Sequence, residues 1–151
     1  MEIIYEYGDL LEAKEKYICH CVNAQGKMRS GVAKVIREKY PKAYNTYINV
    51  FNTTGLGMGN IIGADCGQHI ILNLVGQKNY GDDGKVYLDY QALRKGIKAI
   101  NKNVKEPVAF PMIGAGLAGG DWKLISEIIE EESADFQPVV YILDDGVPWL
   151  T

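Results

Sequence analysis

Short apolar runs alternate with helix-period segments along the chain, and glycine, proline or a capping acid marks most changes of period. This alternation constrains the fold most, because periods of two and of 3.6 residues bury their apolar faces in different ways. Residues 2–7 (EIIYEY), 17–22 (YICHCV), 60–64, 69–75, 108–112 and 139–143 read as strands. A helix starts near Gly31, with Val32, Val35 and Ile36 on one face, and stops at Pro41. Further helices are predicted over 43–51, over 89–102 with Leu93, Ile97 and Ile100 as the stripe, and over 122–132 behind the N-cap Asp121. Strands alternating with helices predict an α/β fold in three layers: a mixed, largely parallel sheet of about six strands covered on both faces.

The 151 residues fit one domain, over 1–151, with 47% hydrophobic and 23% charged residues. Net charge is −3, which sets a whole-surface electrostatic nucleic-acid binder aside, so any bound phosphate must be held by local backbone geometry. Three cysteines, two of them nearly adjacent on one strand, argue against a disulfide framework and for a reducing compartment. No apolar run reaches membrane-spanning length and the N-terminus carries acids, so a cytoplasmic protein with no membrane partner is expected.

Ligands of such sheets bind at the carboxyl ends of the strands. Two loops there join a strand to a helix: NAQGKMRSG over 23–31 and IGAGLAGG over 113–120. Glycines let backbone N–H groups approach an anion, and each following helix turns its positive end towards it. Two such loops suit a diphosphate. Neither is a P-loop, and Gly114 with Gly116 only imitates a dinucleotide fingerprint, since no acidic strand end follows. Tight strand–helix turns would look the same.

The string CHCVNAQGKMRSGVAKVIREKYP (19–41), the string PMIGAGLAGGDW (111–122) and the early Gly8-Asp9-Leu10 together resemble the macrodomain family, in the family's order along nearly the whole chain. Within it the chain is most similar to the small single-domain branch that includes ADP-ribose 1''-phosphate processing enzymes and terminal ADP-ribose protein glycohydrolases. The resemblance implies ADP-ribose or ADP-ribose 1''-phosphate as ligand, a three-layer sandwich, and no cofactor or metal. It places Asp9 and the backbone of Leu10 at the adenine and Asn23 at the distal ribose. Gly26, Met28, Arg29, Ser30, Gly31 and Val32 would wrap that ribose and one phosphate. Ile113, Gly114, Ala115, Gly116, Leu117, Ala118 and Gly119 would cradle the diphosphate through their amides, and Leu143 or Asp144 would border the adenine pocket.

Departures from the family pattern narrow the chemistry. One hydrolytic branch carries an Asp at the first helix start, where this chain has Gly31, Val32 and Ala33. The glycohydrolase branch uses a Lys on the third strand and an Asp in the second glycine loop; this chain has no lysine in 62–65 and has Ala118 in the loop, so a lysine nucleophile is not expected. Arg29 stands where many relatives have glycine and can offer a guanidinium fork to a further phosphate.

His20, three residues before Asn23, is either a general base or acid, with Asn23 orienting water, or a strand histidine satisfied by a local hydrogen bond. Asp82 and Asp83 read as turn residues, Asp89 as a helix cap, and His69 as a strand residue with no partner and no role. Cys19 and Cys21 alternate with His20 across the strand, so the three cannot converge on one metal. Tyr80, Tyr87 and Tyr90 lie nearest the expected cleft, with Tyr90 reading as a packing residue.

The leading expectation is hydrolysis of the phosphate of ADP-ribose 1''-phosphate. The alternatives are a non-catalytic ADP-ribose binder or sensor, and a hydrolase that removes ADP-ribose from modified macromolecules. Nucleic acid itself is not an expected partner.

Overall fold

A computed structural model describes residues 1–81, 83–116 and 118–142. Strands β1 (Ile4–Tyr7), β2 (Tyr17–Asn23), β3 (Ile61–Asp65), β4 (Ile70–Gln77), β5 (Val108–Phe110) and β6 (Pro138–Ile142) form one sheet in the order β1-β6-β5-β2-β4-β3. All neighbours are parallel except β3, which runs antiparallel to β4 on the sheet's edge. The burial of the strands follows from that arrangement. β4 is covered on both faces and is buried from Ile71 to Gln77, whereas β3 alternates between core and solvent.

Helices α1 (Gly31–Lys39) and α2 (Pro41–Thr53) cover one face of the sheet, and α3 (Tyr90–Asn103) and α4 (Trp122–Glu132) cover the other. Alternate residues of one strand feed opposite cores. Ile18 and Val22 of β2 pack with Val32, Ile36, Ala43 and Tyr47, while Cys19 and Cys21 pack with Leu93, Ile97, Ile125 and Ile129. Each such fully buried aliphatic side chain contributes roughly 1.5–3 kcal/mol. This is the expected three-layer sandwich with six strands.

Local chemistry sets the ends of these elements. Asp89 accepts the Ala92 N–H at 3.0 Å and Asp121 accepts the Lys123 N–H at 2.9 Å, each as an N-cap. Pro41 both ends α1 and occupies the first turn of α2, so the second helix starts at Pro41 and not at residue 43. β5 stops at Phe110, short of the expected residue 112, because Pro111 has no N–H to offer the ladder. β4 runs on to Gln77, two residues past its expected end. No helix among the described residues is long and apolar enough to cross a membrane.

Candidate functional site

Parallel pairing puts the carboxyl ends of β1, β6, β5, β2 and β4 along one edge of the sheet, in that order. Three of the sequence-predicted segments leave from this edge: Asp9-Leu10 after β1, the loop from Ile113 after β5, and the loop from Asn23 after β2. Leu143, Asp144, Leu117 and Asp82 lie outside the described residues.

Where β2 and β4 end, a cavity of about 280 Å³ opens, lined by Cys21, Val22, Asn23, Lys27, Arg29, Ser30, Ala33, Gln77, Tyr80 and Gly81. Asn23, Arg29 and Ser30 of the predicted set therefore share one cavity. The Asn23 side chain organises its own loop. Its Oδ1 accepts the N–H groups of Gln25 (2.9 Å) and Lys27 (3.3 Å) and the Tyr47 hydroxyl (3.1 Å), and its Nδ2 donates to the Lys27 carbonyl at 2.9 Å. An amide nitrogen carries two hydrogens, so one N–H remains for a ligand. Ser30 caps α1 through its extended backbone and makes no side-chain cap bond, and Gly31 (φ +60°) opens the helix at the cavity. Gly26 lets the loop lie flat on α2: its φ is +75°, and an added Cβ would come within 2.9 Å of the Phe51 ring.

The cavity is cationic and amide-rich. Lys27 and Arg29 supply charge, Asn23 and Gln77 supply amides, and Tyr80 supplies a half-exposed ring. No carboxylate is among its described lining residues. Cys21 is no nucleophile here, because burial pushes its thiol up to about 12 and keeps it protonated. Such a lining can bind anions and stabilise developing negative charge.

His20 requires a correction. Its ring points to the α2 face, fully buried, and is not among the residues lining the cavity. Asn73 donates to the carbonyls of Ala43 (3.2 Å) and Ile62 (3.0 Å), so its Oδ1 must accept from His20 Nε2 at 2.6 Å. Nδ1 of the neutral ring has no partner among the described residues. Burial lowers the His20 pKa to about 4, against the raising effect of the Asn73 bond. The strand geometry that separates His20 from Cys19 and Cys21 thus turns it into the core.

The glycine-rich loop after β5 also differs from expectation. The amides of Ile113, Ala115 and Gly119 bond to the carbonyls of Pro111, Met112 and Gly116, within the loop itself. They are therefore not free to cradle a diphosphate in this arrangement. The Ala118 carbonyl accepts from Tyr87 and Leu88, stitching the loop to the segment before α3. Gly119 makes that contact possible: with φ +73°, an added Cβ would lie 2.7 Å from the Lys85 carbonyl oxygen. The side chains of Leu10, Met28, Val32, Ile113 and Ala118 are all buried, so only their backbones can face a ligand. Gly114 and Gly116 lie in the same loop, and exposed Asp9 caps the 3₁₀ turn Leu10–Glu12 by accepting the Leu11 N–H at 2.9 Å.

Other expectations resolve individually. His69 does have partners: its Nδ1 accepts from the Tyr40 hydroxyl at 2.6 Å and its Nε2 donates to the Ala13 carbonyl at 2.9 Å. Asp83 accepts from the Lys85 N–H and the Tyr87 hydroxyl. Tyr90 packs on the core and its hydroxyl accepts the Asp121 N–H at 2.9 Å. Lys27 falls within the first glycine loop, whereas sequence reasoning missed Cys21, Val22, Ala33, Gln77 and Gly81 as cavity residues; ending β4 at Val75 hid the last two from the strand-end rule.

Known proteins share this arrangement. A model described as Macro domain matches residues 19–129. The DNA ADP-ribosyl glycohydrolase of Mycobacterium tuberculosis is 28% identical over 148 residues, covering 92% of this chain; the chain spans 42% of that protein's length. The solved macrodomain of Mycobacterium tuberculosis DarG superposes with a TM-score of 0.77 at 25% identity, covering 92% of this chain and 96% of its own. A Bacteroides thetaiotaomicron protein of unknown function superposes with a TM-score of 0.83 at 28% identity, covering 93% and 98%. The match runs from the strand that carries Asn23 to the helix behind the second glycine loop, and the chain belongs to the macro domain family.

Proposed function

We propose that this domain binds an ADP-ribose group along the carboxyl-end edge of its sheet and hydrolyses the bond between the distal ribose and the group attached to it. The adenine lies beside Asp9 and the Leu10 backbone, the diphosphate along Gly114 and Gly116, and the distal ribose at Asn23, Ser30 and Gly31. The observation that carries this reading is the order of the loops along one edge, which matches the order of parts in an elongated dinucleotide-like ligand and ends in the cavity beyond Asn23.

Attached groups leave the anomeric carbon with negative charge, and Lys27 and Arg29 are the cations at that end. Without an imidazole or carboxylate among the described lining, acceleration rests on positioning and charge stabilisation, with the free Asn23 N–H orienting the ribose or the water. The name of the Mycobacterium relative supports an ADP-ribosylated nucleic acid as substrate, one of the modified macromolecules among the alternatives the sequence leaves open. The paired cations equally favour ADP-ribose 1''-phosphate as a second reading.

Chromatography of reactions with an ADP-ribosylated oligonucleotide and with ADP-ribose 1''-phosphate tests both. Free ADP-ribose released from the oligonucleotide is the expected result, with turnover reduced at least about tenfold in Asn23→Ala. Inorganic phosphate from the second substrate alone would move the assignment to it. ADP-ribose binding in calorimetry with neither product would overturn hydrolysis and leave a binding module.

A further inference from the structure

The formal charge of −3 hides a strongly uneven distribution. Between residues 16 and 64 there are seven basic residues and one acid, Glu38; between 106 and 142 there are seven acids and one base, Lys123. The first segment carries α1 and α2, and the second carries α4, on the opposite face of the sheet.

Within the basic half, three cations continue outward from the cavity. A shallow groove of about 520 Å³ along α1 is lined by Met28, Arg29, Lys34, Arg37, Glu38 and Pro41, and it shares Arg29 with the cavity at Asn23. Arg29, Lys34 and Arg37 are exposed, and among the described residues none forms an ion pair with a carboxylate. Four other basic side chains form ion pairs among the described residues: Lys39 with Glu12, Lys85 with Asp83, Arg94 with Glu131 and Glu132, and Lys105 with Asp135. Lys34 and Arg37 stand three residues apart and so share a helix face. The Arg37 guanidinium lies 3.7 Å from the Tyr44 ring centroid, which holds the fork in place and leaves its edge N–H groups for an acceptor. Met28 is buried, so the groove offers no apolar pocket for a peptide side chain.

The geometry points to the α1 groove as a docking track for the phosphate backbone of a single-stranded nucleic acid whose ADP-ribose group occupies the cavity. This rests on the ADP-ribose reading above and names the partner surface that extends it. α1 has nine residues and is about 13 Å long, enough for two or three successive phosphates. Arg29 sits at the junction, where the strand would leave the distal ribose. Glu38 lies at the far end of the same face, four residues beyond Lys34. An acidic surface on the α4 side keeps the rest of the molecule from competing for the polymer.

The test measures binding of the full chain to three probes at about 50 and about 300 mM salt: free ADP-ribose, an unmodified single strand of about ten nucleotides, and that strand bearing one terminal ADP-ribose. Three phosphate contacts give a salt slope near −2 beyond that of free ADP-ribose, so the modified strand's advantage falls about 40-fold over that range. The double substitution Lys34→Gln with Arg37→Gln should cut the slope to about −0.7, abolish most of the advantage at low salt, and leave free ADP-ribose affinity within about twofold. An advantage that persists in the double variant, or no advantage in the parent, overturns the surface. An acidic peptide of equal length that binds as tightly as the strand overturns the nucleic-acid assignment. If free ADP-ribose fails to bind the parent, the functional reading falls; salt-sensitive, variant-sensitive binding of the unmodified strand then still decides for the surface, and its absence decides against it.

Discussion

Asn73 determines what His20 can be. Its amide nitrogen is committed to two backbone carbonyls, so its oxygen holds the His20 Nε2 proton and the imidazole is neutral. The sign of the pH dependence follows. An unfolded chain takes up a proton on His20 below its ordinary pKa of 6.5, whereas the folded chain excludes it until about pH 4, so stability falls as pH drops through that window. Chemical denaturation at pH 7 and pH 5 should show a loss of about 2 kcal/mol from this group. His20→Leu should lose that part of the slope whatever its absolute stability; an unchanged slope would place the titration elsewhere. At this scale the sequence reveals alternation, which separates His20 from Cys19 and Cys21, but not which face of β2 looks into the ligand cleft. Asn23 is legible through the macrodomain resemblance, which places it at the distal ribose. Its bonds to Gln25 and Lys27 are local to the loop, whereas its bond with Tyr47 depends on an atom brought from α2.

α3 crosses β4 at close range. A Cβ at Gly96 would come within 2.5 Å of the Leu74 side chain, so the helix sits on the sheet at a separation that only glycine permits. Gly96→Ala should destabilise the protein by about 1–3 kcal/mol despite the better helix propensity of alanine. A melting temperature equal to or above that of the parent would show that the helix can move outward freely. Helix starts at Asp89 and Asp121 are readable in sequence because capping is local chemistry. The end of β4 is not readable in this way: residues past Val75 remain in the ladder because β2 pairs with them through the bulge between Val22 and Asn23. That extension is what delivers Gln77 to the cavity.

For the molecule as a whole, five parallel strand ends on one edge set the ligand's path. Hydrogen exchange with added ADP-ribose should slow in residues 8–11, 23–33, 76–81 and 113–119. The turns at 66–69 and 104–107, at the opposite edge, should be unaffected; protection confined to those turns would refute the assigned edge. The sequence by itself determined the class of fold, the six strands and four helices, the caps and the two glycine loops, because periodicity and capping act within a few residues. Only the tertiary structure decided which amides stay free, that both histidines are sealed in the interior, and how basic residues of α1 become continuous with the cavity. Those outcomes depend on groups distant in sequence competing for the same hydrogen bonds and the same space, and no local pattern records the result of that competition.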